Sequence, residues 1–172
     1  YKYETDFANI ISTYFNDNFE YNNQKYTQNY WLEKAANRKE LMNQLLWDET
    51  HQCYFDYNIE TKSHYLFLSA TSFFPLWAKI ATAEQAQIMV QNELPKLIFK
   101  GGIAGCAPEA LAQIGGEQMK RQWDYPNGWA PHQIIIWQGL ENYGFHDLTQ
   151  ELVYRWLWMI TKNACDYNGT VP

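Results

Sequence analysis

The sequence lacks the features that would direct it to a membrane or to nucleic acid. It has 13 lysine and arginine residues against 19 aspartate and glutamate residues, so its net charge is −6. Phosphate binding requires concentrated positive charge, which this acidic chain does not have. No apolar run approaches the length of about 18 residues that crosses a bilayer. We therefore expect neither a nucleic acid nor a membrane among its partners.

Cysteine is scarce as well. The three cysteines, Cys53, Cys106 and Cys165, are widely spaced and odd in number, which argues against a disulfide framework and favours a cytoplasmic location. A secreted or vacuolar location stays open, because the chain starts at Tyr1 and resembles the middle of a longer protein rather than a signal peptide. The four histidines show no metal-ligand spacing. We expect no metal and no cofactor.

Aromatic residues are abundant, with 8 Trp, 13 Tyr and 9 Phe in a chain that is 47% hydrophobic. This composition supports a packed core, and the length of 172 residues fits one domain or part of one. Helical spacing of apolar residues predicts helices over 3–19, 28–47, 72–80, 82–97, 131–143 and from about 147 to 165. An alternating pattern from Cys53 to Leu68 predicts a small hairpin or extended loop.

The connections are long. Residues 16–27 are polar and predict a loop, and a second loop of about 20 residues follows Gly101 and runs towards Trp129, a length typical of functional loops. Five or six helices in antiparallel pairs with long connections fit an (α/α) toroid better than a four-helix bundle. The predicted fold class is therefore all-α, with residues 1–172 as a single segment of such a domain.

The most informative segment begins at Gln122. It places two indoles around one carboxylate, at Trp123, Asp124 and Trp129, and a strong turn signal, Tyr125-Pro126-Asn127-Gly128, lies between them. Aromatic rings that stack on a pyranose face and polar groups that bind hydroxyls would form a sugar site. The alternative is a structural loop in which both indoles fill the core and Asp124 caps a neighbouring backbone.

The same segment resembles the second signature of the trehalases, glycoside hydrolases that split α,α-trehalose into two glucose molecules. All seven fixed positions of the pattern Gln-Trp-Asp-x-Pro-x-Gly-Trp-x-Pro are matched over residues 122–131, which we call the signature segment. Leu46-Trp47-Asp48-Glu49 and Gly101-Gly102-Ile103 are similar to the helix end and the glycine loop of that family. Ala130-Pro131-His132-Gln133 resembles its neutral, cytosolic branch most.

The resemblance implies an (α/α)6 barrel and an inverting mechanism. A carboxylic acid protonates the glycosidic oxygen, and a carboxylate about 6.5–9.5 Å away activates water on the opposite face of the sugar. In the family the acid lies in a Ser-Gly-Trp-Asp-like segment and the base in a Glu-Lys-Tyr-like segment. This chain contains neither, so no catalytic residue is expected within it. The substrate-binding residues expected here are Gln122, Trp123, Asp124, Asn127, Gly128 and Trp129.

Other roles for polar residues are weighed against these. Asp48 and Glu49 are adjacent at a helix end and are expected to cap or to face solvent, whereas Asp56 is held as a minor catalytic candidate beside Asp124. His132 is expected either to be buried and hydrogen-bonded or to line the pocket. For the indoles of the last helix, the spacing places Trp156 against the core and Trp158 against a neighbouring helix or the remainder of a longer protein.

The predicted function is a portion of a trehalase that binds trehalose or a related glucoside. Alternatives are a non-catalytic sugar- or protein-binding derivative of a trehalase and another (α/α)-barrel hydrolase, such as an α-glucosidase. A segment of a toroid would leave apolar patches uncovered. We therefore also expect the chain to associate with the remainder of a parent chain or with itself.

Overall fold

The computed structural model describes residues 1–115, 121–167 and 169, and helices dominate these residues. The helices are α1 (Lys2–Tyr14), α2 (Gln28–Leu46), α3 (Phe74–Trp77), α4 (Ala83–Asn92), α5 (Pro108–Gln113), α6 (Ala130–Asn142) and α7 (His146–Asp166). The strands are β1 (Phe19–Tyr21), β2 (Gln24–Tyr26), β3 (Trp47–Asp48), β4 (Cys53–Tyr54), β5 (Asp56–Asn58), β6 (Ser63–Tyr65), β7 (Ile98–Phe99) and β8 (Gly102–Ile103). Consecutive strands pair as four short antiparallel ladders.

Contacts divide the chain into two compact units, Tyr1–Leu45 and Leu46–Pro172. The single segment over residues 1–172 stays a prediction. Within the described residues, none of the helices combines the length and apolar character needed to cross a membrane.

The first unit is built from α1, the β1–β2 hairpin and α2. Ala8, Ile11 and Ala35 are buried between them. Glu4 is also buried, and both of its carboxylate oxygens accept hydrogen bonds of 2.8 Å from the Arg38 guanidinium. This fork-like ion pair holds the pKa of Glu4 below its ordinary value, against the opposing effect of burial. It also ties α1 to α2.

Two expectations for this unit are wrong. The first helix ends at Tyr14 rather than near residue 19, and residues 16–27 contain a hairpin rather than only a loop. Asn22 and Asn23 have φ angles of 51° and 60°, which asparagine tolerates better than most residues. Two such residues in succession form the tight reversal that matches the twist of paired strands.

The second unit has its core around α6, which packs against both α3 and α7. Gly139 allows the close crossing with α3, because a Cβ there would lie 2.9 Å from the Trp77 backbone nitrogen. The buried core includes Phe73, Leu76, Met89, Leu94, Leu97, Ile103, Ile136, Leu140 and Leu152. Thr82 and Gln85 form a capping box at the start of α4.

Several predicted boundaries of this unit are wrong. A 3-10 turn over Ala70–Phe73 precedes the four-residue α3 where one helix over 72–80 was expected, and α4 ends at Asn92 with a separate 3-10 turn at Leu94–Leu97. The long loop after Gly101 contains α5, and residues 116–120 of that loop lie outside the described residues. By contrast, α7 spans His146–Asp166, close to the predicted range of about 147 to 165, and its N-cap is Phe145.

Candidate sugar-binding site

The glycine loop and the signature segment lie against each other. The Gly105 backbone N–H donates to the Asn127 carbonyl at 2.8 Å. A Cβ on Gly105 would lie 1.8 Å from the Trp123 carbonyl oxygen, so no other residue fits there without moving the backbone. β8 pairs with β7, and the bond of Gly105 joins the residues after β8 to the backbone of the signature segment.

The two indoles of the signature segment form one stack. The rings of Trp123 and Trp129 have centroids 3.8 Å apart and an angle of 19° between their planes. Trp123 is 47% exposed, and the Trp129 Nε1–H donates to the Gln122 carbonyl at 2.9 Å. The expectation that both rings fill the core therefore does not describe Trp123, whose ring is supported by Trp129 and open to solvent.

Asp124 has a different position from the indoles on either side of it. The residue is only 8% exposed, and its Oδ2 accepts a hydrogen bond of 2.7 Å from the Arg121 backbone N–H. Its own N–H donates to the Arg121 carbonyl, and its carbonyl accepts from the Asn127 N–H. These bonds close the turn between the two indoles, which is the backbone-capping role considered as the alternative.

The side chains of Cys106 and Phe99 contact the turn from another part of the chain. The Tyr125 N–H donates to the Cys106 Sγ at 3.3 Å, and the Tyr125 ring packs on Phe99 with centroids 4.9 Å apart. Tyr125-Pro126 is a cis peptide bond. Burial raises the pKa of the Cys106 thiol, so this sulfur stays protonated and acts as a structural acceptor.

His132 follows Pro131 in the first turn of α6 and is half-buried. Its ring contacts Phe74 and Trp123, with centroids 5.9 Å away in both cases. Burial lowers its pKa, which favours the neutral ring. Its Nδ1 is buried and has no hydrogen-bond partner among the described residues. The ring thus packs beside the indole stack, and the expected hydrogen bond is absent there.

Gln133 is a residue of this region that the sequence patterns do not single out. It is fully buried, its Oε1 accepts from the Ile103 N–H at 3.0 Å, and its Nε2 donates to the Ile103 carbonyl at 2.6 Å. Its signals in the sequence are weak: it is a polar residue two positions after the helix-opening Pro131, and it ends the Ala130-Pro131-His132-Gln133 stretch that resembles the neutral branch.

The remaining carboxylates lie elsewhere in the fold. Asp48 is in β3, where its Oδ1 accepts from the backbone N–H of His51 and is 2.8 Å from the His51 Nδ1, while its Oδ2 is 2.9 Å from the His64 Nδ1. Burial alone would raise the Asp48 pKa, but these partners hold it below its ordinary value. Asp56 is exposed in β5, paired with Tyr65.

Groups that could hold a metal were sought among histidines, cysteines and carboxylates. Across residues 1–115, 121–167 and 169, no three of these side chains are placed to do so. The two tryptophans of α7 lie differently: Trp156 is half-buried near Gly102 and Gly128, on the side predicted to face the core, whereas Trp158 is 48% exposed, so its predicted cover stays a prediction.

Known proteins similar to this chain include fungal trehalases. The chain is 46% identical to the cytosolic neutral trehalase of Kluyveromyces lactis and 45% identical to that of Saccharomyces cerevisiae, over 99% of its own length. It spans about a quarter of the length of these relatives, since it covers 23% of each.

The fold is similar to that of a solved enzyme. Neutral trehalase Nth1 from Saccharomyces cerevisiae superposes with a TM-score of 0.91 and 44% identity, over 99% of this chain and 31% of that one. The match confirms the predicted fold class, part of an (α/α)6 barrel. The family model for trehalase matches residues 1–171, and the chain therefore belongs to the trehalase family.

Proposed function

We propose that this chain is a portion of a cytosolic trehalase, an inverting glycoside hydrolase that cleaves α,α-trehalose into two glucose molecules. Family membership over residues 1–171 carries this proposal. The relatives named cytosolic neutral trehalases support both the substrate and the location. The chain's own contribution is the aromatic surface of a glucose subsite.

The exposed ring of Trp123 is the main element of this surface. Stacking an indole against the apolar face of a pyranose removes apolar area from water, and a fixed ring loses little entropy on binding. Trp129 provides that fixation, because its ring lies 3.8 Å behind Trp123. The exposed amides of Gln122 and Asn127 flank the stack and offer both donors and acceptors to sugar hydroxyls.

Asp124 and Gly128 complete the set in different ways. In the proposal, Asp124 keeps the turn closed through Oδ2 and presents its other oxygen to a sugar hydroxyl. Gly128 brings the backbone close to β8, since a Cβ there would be 2.8 Å from the Ile103 carbonyl oxygen. Its contribution to the sugar is therefore made by the backbone alone.

The acid and the base of the reaction are proposed to come from other parts of the parent protein. A general acid for glycoside cleavage needs a raised pKa, so that it still carries its proton at neutral pH. The pKa of Glu4 is lowered by its hydrogen bonds with Arg38, and that of Asp48 is lowered by its histidine partners despite burial. Neither carboxyl group is suited to donate that proton.

The apolar side chains exposed on α7 support a further part of the proposal. Tyr154, Leu157 and Trp158 are 69%, 56% and 48% exposed and recur at helical spacing along one side of the helix. We propose that the remainder of a full-length trehalase covers this stripe, because the chain accounts for only 23% of the relatives' length. The isolated chain would then be inactive and prone to self-association.

The test uses the full-length parent protein. We expect it to hydrolyse trehalose and to release one α-glucose and one β-glucose per turnover, which proton NMR resolves before mutarotation. Release of α-glucose alone would indicate retention and would contradict the inverting mechanism. If the parent binds trehalose in calorimetry without hydrolysing it, the non-catalytic derivative becomes the correct description.

Variants of the indole test the subsite. Trp123→Ala should raise the KM for trehalose about fivefold, since an aromatic stack contributes on the order of 1 kcal/mol, whereas Trp123→Phe should retain most of the affinity. Trp158→Ala is the control, because it removes an indole that lies outside the signature segment, on the α7 stripe. It should change the melting temperature but not the KM. Equal KM values for Trp123→Ala and the unaltered enzyme would remove Trp123 from the subsite.

A further inference from the structure

Gln133 has an unusual combination of burial and bonding. Its side chain is fully buried in the first turn of α6, and both ends of its amide bond the backbone of a single residue, Ile103. We propose that Gln133 is a positioning residue for trehalose hydrolysis. It fixes β8 against α6 and thereby sets the position of the signature segment. This inference rests on the function proposed above.

The local chemistry explains why an amide is needed. Ile103 presents both an N–H and a carbonyl to α6, and leaving either one buried without a partner would cost about 1–3 kcal/mol. Glutamine supplies an acceptor at 3.0 Å and a donor at 2.6 Å at once. A carboxylate would supply only acceptors, and an apolar side chain of the same length would supply neither.

Close backbone contacts couple the position of Ile103 to that of the signature segment. Its carbonyl oxygen lies 2.8 Å from the place of a Cβ on Gly128, where the Gln133 Nε2 is also 3.3 Å away. Two residues further along, the Gly105 N–H bonds the Asn127 carbonyl at 2.8 Å. A shift of β8 would therefore move the backbone on which Trp123 is mounted.

The other end of the signature segment is tied to the same residue. Trp129 is the N-cap of α6, and its carbonyl accepts the Gln133 backbone N–H at 3.1 Å. Gln133 thus holds the helix that follows Trp129 with its backbone and the strand beneath Gly128 with its side chain. No other contact of α6 described above reaches both.

The test compares Gln133→Glu and Gln133→Met in the full-length enzyme. At neutral pH both variants should lower kcat for trehalose, by up to about 100-fold, because displacements near 1 Å at an active site have effects of that size. The KM should rise as well, because the signature segment carries the proposed glucose subsite. In Gln133→Glu, burial and the facing Ile103 carbonyl raise the pKa of the new carboxyl. Once protonated, this group again offers one donor and one acceptor.

The ratio of variant to unaltered kcat should therefore rise as the pH falls for Gln133→Glu and stay level for Gln133→Met. Cavity or packing defects do not restore activity on protonation, so this rise separates positioning from a merely structural role. Asn142→Asp is the matched control at the other end of α6, where the amide donates to the Leu76 and Trp77 carbonyls. It should keep kcat within about twofold.

The outcomes separate the two proposals. If the unaltered parent does not act on trehalose, the proposed function is wrong. The bonds of Gln133 are then tested by hydrogen exchange. The Ile103 amide should lose protection in Gln133→Met but not in Asn142→Asp. If the parent is active and Gln133→Glu keeps its kcat at neutral pH, or shows a level ratio, the positioning role is wrong. Should Gln133→Glu fail to fold, Gln133→Met with kcat equal to the unaltered enzyme overturns it as well.

Discussion

Glycines determine how closely the two loops of the candidate site approach each other. Gly105 and Gly128 both lie where a Cβ would meet backbone oxygen atoms, of Trp123 and Ile103 respectively. Residues of the candidate site thus contribute in two different ways. Trp123 presents an aromatic surface. The glycines have no side chain, so the backbone that carries Trp123 can lie close to β8 and Gly105.

Gly105→Ala is expected to disturb the site without removing any polar group. Its Cβ would fall 1.8 Å from the Trp123 carbonyl oxygen, so the backbone must move, at a cost of about 1–3 kcal/mol for overpacking. Trehalose hydrolysis by the full-length enzyme should drop at least tenfold. Gly144→Ala is the control, because a Cβ there meets nothing within 4 Å and only its φ of 81° opposes the change. That variant should lose about 1 kcal/mol of stability and keep its activity.

A second prediction for single residues concerns the stability of the folded chain at acidic pH. The lowered pKa of Glu4 means that its ion pair stabilises the folded state above the ordinary pKa of 4.5. This contribution is lost as the pH falls from that value through the lower folded pKa. Since Arg38 is 55% exposed, the pair should contribute only about 1 kcal/mol.

Thermal unfolding of dilute chain between pH 7 and pH 3 measures this effect. The melting temperature of Arg38→Gln should lie below that of the unaltered chain at pH 7, and the difference should shrink as the pH falls below 4.5. A difference between them that stays constant over this range would show that the ion pair contributes nothing to the acid response.

Secondary elements were predictable where local patterns agree with the final packing. The boundaries of α2 and of α6 agree with the sequence to within one residue, because strong helix formers fill α2 and Pro131 and Gly144 delimit α6. The β1–β2 hairpin was missed because its turn is Asn22-Asn23 rather than a pair with glycine. The indoles could be identified as a candidate site from the sequence, and the capping role of Asp124 was one of its two alternatives, which the turn geometry decides. The bonds of Gln133 could not be predicted, because their partner lies 30 residues away.

The capping box of α4 provides the prediction for this scale. Thr82 Oγ1 accepts the Gln85 N–H at 3.1 Å, and Gln85 Oε1 accepts the Thr82 N–H at 2.8 Å and the Tyr54 hydroxyl at 3.0 Å. Thr82→Ala should therefore lower the free energy of unfolding by about 1 kcal/mol. Thr82→Ser keeps the accepting oxygen and should lose much less. Equal losses in chemical denaturation would show that the methyl group, not the cap, is responsible.

For the whole molecule, helical periodicity predicts buried apolar faces that this chain leaves partly exposed. The apolar side chains of α1 recur at helical spacing, yet Phe7, Ile10 and Tyr14 are 45%, 40% and 75% exposed. The stripe of Tyr154, Leu157 and Trp158 on α7 behaves in the same way. The predicted burial of these helix faces and their observed exposure are consistent if a larger parent protein covers the faces.

This explanation predicts how the isolated chain behaves in solution. Exposed apolar patches promote association, so the weight-average mass from sedimentation equilibrium should increase with concentration over the micromolar range. Leu157→Glu introduces a charge into the α7 stripe and should shift association to higher concentration. Gln150→Glu adds the same charge at another exposed position of α7 and should leave it unchanged. A monodisperse monomer with a single cooperative unfolding transition would contradict the prediction, since its apolar faces would then need no cover.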